Sequence, residues 1–154
     1  MKLSQHFNLY EFTRSQTAAR LGIDNMPSDD AIDNLQRLCL YFLEPLREAV
    51  DSPITINSGY RCLLLNKAIG GSLTSSHMDG EAADIIVAKM KPRNVCKVIR
   101  DLDVTYDQNI HEFGQWTHLG IGSRFRKQDL TAYRKEGKTI YTPGIHKIKD
   151  LLDE

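Results

Sequence analysis

Residues 75–84 read S-S-H-M-D-G-E-A-A-D, with six residues between His77 and Asp84 and a glycine at position 80. A histidine nitrogen and an aspartate oxygen at that spacing can hold one metal ion if the chain reverses at Gly80. A further histidine, His118, stands downstream in Q-W-T-H-L-G-I. Two histidines and one carboxylate form a zinc set of the catalytic kind, which leaves a fourth position open for water. Taken alone, H-x6-D also describes a histidine hydrogen-bonded to a surface acid. Three ligands from distant segments need elements that bring them together.

The segment before the string begins with a polar lead-in over residues 1–26, in which Ser15 to Leu21 forms a turn or two ended by Gly22. Ser28 caps a helix with Asp29 and Asp30 in its first turn. Ile32, Leu35, Leu38, Cys39, Phe42, Leu43 and Leu46 recur at helical spacing, which predicts one amphipathic helix over about 28–50 bent by Pro45. Ile54 to Ser58 alternates as a short strand, and a short helix follows over about 61–69. Ala83 to Val87 reads as a buried strand that begins beside Asp84. Pro92 opens a helix to about residue 102. Tyr106 to Phe113 and Trp116 to Ile121 read as a hairpin turning at Gly114-Gln115. If the strands holding Asp84 and His118 are neighbours, the three ligands converge. The expected fold is α+β, with a mostly antiparallel sheet and helices packed on one side.

The chain of 154 residues is expected to form one domain over 1–154, with a core at about 4–122 and an irregular, locally basic tail over 123–154. Arg124 to Lys138 carries six basic residues against two acids, which reads as a solvated tail or a contact with an anionic wall. Net charge is zero, so no nucleic-acid partner is indicated. The three cysteines are widely spaced and odd in number, which reads as reduced thiols rather than disulfides or a cysteine zinc site. The longest apolar run, Leu38 to Leu43, is too short for membrane insertion, and the polar start M-K-L-S-Q-H-F-N lacks a secretory h-region. A monomer made in the cytoplasm is expected, reaching any outside substrate by release or non-standard export.

Several strings together carry a specific resemblance. S-G-Y-R at Ser58 to Arg61, N-K-A-I-G-G at Asn66 to Gly71, S-x-H-x-x-G-x-A-x-D at Ser75 to Asp84 and W-T-H at Trp116 to His118 resemble the zinc D-alanyl-D-alanine carboxypeptidases and phage endolysin peptidases of the Hedgehog/DD-peptidase fold. F-N-L-Y-E-F-T-R-S near Phe7 and P-L-R-E-A near Pro45 resemble the bacterial and phage branch. The resemblance implies His77, Asp84 and His118 as zinc ligands and peptidoglycan stem peptides as substrate. It also implies Arg61 as a substrate-facing residue, whose planar fork suits a carboxylate or carbonyl oxygen. Ser75 bonds substrate backbone or holds the loop; the two readings are equal.

One departure concerns the general base. Many relatives carry E-x-x-H before the last ligand, whereas this chain has Gln115 there, and a neutral amide cannot accept a proton. Glu112, in Q-N-I-H-E-F, is the expected base, and Asp107 the second candidate. Gln108 shares a strand face with Glu112 and can bond substrate amides. His111 points to the opposite face and reads as a solvated histidine. Trp116 shares a face with His118, as groove wall or core. The expected activity is zinc-dependent hydrolysis of amide bonds in stem peptides, as a carboxypeptidase or an L,D-endopeptidase of lysin type. The alternative is a zinc-containing module that binds peptide or cell wall without cutting it.

Overall fold

The computed structural model describes residues 1–154. Two short helices, α1 (Leu9–Thr13) and α2 (Gln16–Leu21), precede α3 (Asp29–Leu38). Ser28 caps α3 by accepting the Ala31 N–H at 3.2 Å. Helical winding continues to Val50, but not as one uniform helix. Cys39–Leu43 is a π segment, and α4 (Glu44–Val50) follows it. Pro45 has no N–H to return to the preceding turn, and the helix widens just before it, with the Glu44 N–H reaching back to the Cys39 carbonyl.

The rest of the chain forms β1 (Ile54–Ser58), α5 (Leu63–Ala68), a 3-10 turn at Ser76–Asp79, β2 (Ala82–Val87) and α6 (Pro92–Asp101). It ends with β3 (Gln108–Glu112), β4 (Trp116–Gly120), β5 (Gln128–Lys135), β6 (Lys138–Pro143) and α7 (Ile148–Leu152). The six strands make one sheet in the order β1-β2-β4-β3-β5-β6. Every pairing is antiparallel except β3 with β5. The fold is α+β with a mostly antiparallel sheet.

The tail departs from the expected irregular coil. Residues 128–143 form a hairpin that extends the sheet, and α7 packs against β5. Glu136 and Gly137, both at positive φ, make its two-residue turn between Lys135 and Lys138. Leu130, Ala132 and Tyr133 are buried, so the charged residues of this segment flank real core positions.

The main core gathers Phe7, Phe12, Leu35, Leu38, Leu43 and Leu46 with Ile54, Ile56, Ile85 and Val87 from the sheet and Val95 and Ile99 from α6. Removing water from these apolar side chains is the main driving force for bringing the segments together. α6 packs across β2, β3 and β4. Cys96, on α6, meets Thr117. Asp84 and His118 neither share that register row nor face α6; they occupy the opposite face of the sheet.

Candidate metal centre

The string from Ser75 to Asp84 folds as the 3-10 turn followed by β2. Ser75 caps the turn, its Oγ accepting the His77 N–H at 3.3 Å. Gly80 ends the turn at φ 72°, and a Cβ there would collide with the Ala31 carbonyl. Asn34 of α3 donates to the Asp79 carbonyl at 2.9 Å. The loop is thus pinned to α3 on both counts, and His77 is fixed with it.

His77 is buried, and its Nδ1 donates to the Gly59 carbonyl at 2.7 Å. That bond selects the tautomer and leaves a lone pair on Nε2. His77 Nε2 lies 3.4 Å from Asp84 Oδ1. Asp84 and His118 are directly paired across β2 and β4, and His118 Nδ1 lies 2.9 Å from the same oxygen. The three donor atoms all lie within 4.8 Å of one another. The expected convergence of the two strands is therefore what occurs.

The electrostatics suit a cation at their centre. Burial pushes the Asp84 carboxyl up, but the charges and hydrogen bonds of His77 and His118 outweigh it and hold Asp84 well below the usual carboxylate range. Burial favours neutral His77 and lowers its pKa. Burial also disfavours His118 cation, but the Asp84 hydrogen bond and charge prevail and raise its pKa. A neutral ring with its lone pair inward and a second ring, both beside an anionic carboxylate that attracts positive charge, fit a divalent metal.

Glu112 stands beside this group. The pairing Glu112↔Trp116 and Ile110↔His118 puts Glu112, Trp116 and His118 on one face. Glu112 Oε1 is 4.0 Å from His118 Nδ1. Burial, and then the charge of Asp84, raise the Glu112 pKa. Gln115 is exposed on the hairpin turn, one residue past Phe113 and Gly114, whose positive φ values place the turn one residue earlier than expected.

Arg61 reaches the same space. Its N–H bonds the His77 carbonyl at 3.1 Å, and its Nη2 donates to Ser75 Oγ at 3.0 Å. Its Nε is buried without a partner. Burial lowers the Arg61 pKa, opposed by the charges of Asp84 and Glu112. Ser75 therefore commits its oxygen to Arg61 and the His77 N–H, which favours the loop-holding reading.

Gln108 lies on the metal face but donates to Gln128 Oε1 at 3.0 Å. It borders the space over Gly120, where a Cβ would stand 3.4 Å from His118 Nε2. Trp116 is half-buried and meets Phe113 edge-on at 5.7 Å, so it is not a core residue. Asp107 is occupied elsewhere: Arg126 bonds it through Nε at 2.9 Å and Nη2 at 3.0 Å. His111 does point to the other face, but it is buried rather than solvated, with Nδ1 bonded to the His146 carbonyl at 3.0 Å.

Two positioning residues escaped the sequence reading. Gly59 orients His77 through its carbonyl. Asn25 is buried and clamps the neighbouring turn, donating to the Thr13 and Tyr60 carbonyls and accepting the Cys62 N–H at 2.8 Å. The S-G-Y-R string marked the first; nothing local marked Asn25, whose partners are distant in sequence.

The zinc D-Ala-D-Ala carboxypeptidase of Streptomyces albus G is 43% identical over 47 residues, which cover 30% of this chain and 18% of that protein. The chain thus matches well under two thirds of that relative's length. The profile of the Peptidase M15 family matches residues 5–120, the stretch that carries His77, Asp84, His118, Arg61 and Glu112. The chain belongs to the Peptidase M15 family, and zinc is its cofactor.

Proposed function

We propose that the protein is a zinc peptidase that hydrolyses amide bonds in the stem peptides of peptidoglycan. The observation that carries this reading is the joint placement of three donor atoms within 4.8 Å and a carboxylate, Glu112, 4.0 Å from one of them. His77, Asp84 and His118 would hold the zinc, which when bound would supply a Lewis acid for the scissile carbonyl and lower the pKa of water toward ~7.

Glu112 takes the proton of the attacking water and returns it to the leaving amine nitrogen. Its raised pKa suits a group that must accept and then release a proton. Trp116 holds one carboxylate oxygen and leaves the other free. Arg61, its guanidinium held beside the metal centre, binds a carboxylate or carbonyl oxygen of the peptide. Ser75 keeps the guanidinium in place.

The test is incubation of purified protein with peptidoglycan, with and without chelator, and identification of released fragments by mass. Chelator-sensitive release of amino acid or peptide is expected. Fragment mass separates a carboxypeptidase from an L,D-endopeptidase. Binding without release by the zinc-loaded protein would instead support the non-catalytic module that Gln115 suggests. A lysin released to the wall by a partner is the setting we favour.

A further inference from the structure

We propose that Tyr141, in the C-terminal hairpin, binds the peptide substrate from the side of the metal centre opposite Arg61. The inference rests on the peptidase reading above and adds a residue beyond the stretch matched by the family profile, which ends at residue 120.

The sheet register supplies the geometry. Trp116 pairs with Glu112, Glu112 with Ala132, and Ala132 with Tyr141. Side chains of directly paired residues lie on the same face of a sheet. Four strands therefore present one row on the metal face: an indole, the proposed base, a methyl group and a phenol. Ala132 is the small member, and it is fully buried. Two strand spacings, about 10 Å, separate the Glu112 and Tyr141 backbones. A tyrosine ring spans most of that distance when it leans across a methyl group.

Tyr141 is nevertheless 55% exposed, so its ring is not core. Partial burial raises its pKa first, and the charges of Glu112 and Asp84 raise it further. The phenol thus keeps its proton at neutral pH and stands within the field of both carboxylates. A neutral O–H donor on the metal face suits a main-chain carbonyl or a carboxylate of an extended peptide, and the ring supplies a flat apolar contact. Arg61 performs the matching task from the β1 side of the site.

The experiment uses the full-length, zinc-loaded protein and a synthetic stem peptide. Steady-state hydrolysis is measured for the wild type, Tyr141→Phe and Tyr141→Ala. Calorimetry measures binding of the uncleaved peptide to Glu112→Gln with and without Tyr141→Ala. Loss of ring and hydroxyl together is expected to raise KM and weaken binding by about tenfold, with kcat within about twofold. Tyr141→Phe is expected to lose about threefold, the share of one exposed hydrogen bond. Zinc content and melting temperature stay at wild-type values in both.

Unchanged KM and binding in Tyr141→Ala, alongside a wild type that cleaves the peptide, overturns this inference alone. Loss of zinc or of the folded state in Tyr141→Phe also overturns it, because the residue is then structural. A wild type that neither binds nor cleaves the peptide overturns the peptidase reading and this inference together.

Discussion

Trp116 donates its indole N–H to Glu112 Oε2 at 2.8 Å across the rung of the hairpin where the two residues pair. The bond fixes the carboxylate and leaves Oε1 toward His118. Replacing the acid while keeping its shape tests the role. Glu112→Gln is expected to lower kcat by about 10²–10⁴, the usual contribution of a general base, with zinc content intact. Trp116→Phe keeps an aromatic wall but frees the carboxylate, and a smaller loss of about tenfold is expected. Full-rate cleavage by Glu112→Gln would sink the assignment.

The pH profile follows from the same residue. Burial, then the Asp84 charge, lifts the Glu112 pKa above its ordinary 4.5. As the proposed base Glu112 would work ionised, so kcat/KM is expected to rise with pH through that raised pKa. The acid limb is expected at higher pH than for an exposed glutamate. Whatever residual activity Glu112→Gln retains should lack this limb, as a pH series on both proteins would reveal.

Asp107 gives the opposite pattern. Hydrogen bonds from Arg126 dominate its surroundings and depress its pKa. A depressed folded pKa means stability that is present above the unfolded pKa, about 3.9, and lost as pH falls through the folded value. Asp107→Asn is expected to cost about 1–3 kcal/mol at neutral pH, from a bonded group whose partner is left unpaired. Thermal melts at neutral and acid pH should show the gap between the two proteins closing on acidification. The substitution should leave kcat unchanged, which separates Asp107 from Glu112 as base.

The zinc centre is sensitive to a backbone contact. A Cβ on Gly59 would lie 2.6 Å from Phe12 Cα, so Gly59→Ala must move the turn whose carbonyl holds His77. Loss of such an outer partner typically costs 10–100-fold in metal affinity, about the effect expected here. His77→Ala removes a ligand outright and should bring zinc content near zero after dialysis. Competition with a chromophoric chelator measures both, and wild-type affinity in Gly59→Ala would argue against the orienting role.

Much of the site was legible in the sequence because it is written in short strings. His77, Gly80 and Asp84 fall within eight residues of one another, and a tight hairpin carries Glu112 and His118. Such local patterns determine local geometry. The parallel pairing of β3 with β5 was not legible, because the partners are about twenty residues apart and β5 mixes core positions with Arg134 and Lys135. The one local sign in that region, Glu136-Gly137, marks the β5–β6 turn and not the β3–β5 pairing. His111 looked solvated for a related reason: its bonding partner, the His146 carbonyl, arrives only when the tail folds back. The π segment before Pro45 depended on how the helix absorbs a missing N–H, and the apolar spacing alone did not reveal it.

The sheet order has a consequence for how motion is distributed around the centre. β3 has β4 on one side and β5 on the other, whereas β1 is an edge strand paired only with β2. Amide exchange should therefore be slowest at Ile110 and its neighbours and faster along Thr55 and Asn57. The proposed base, Glu112, sits on the strand least able to open. Arg61, the residue proposed to meet the peptide, follows the edge strand, where small backbone shifts would admit side chains of different size.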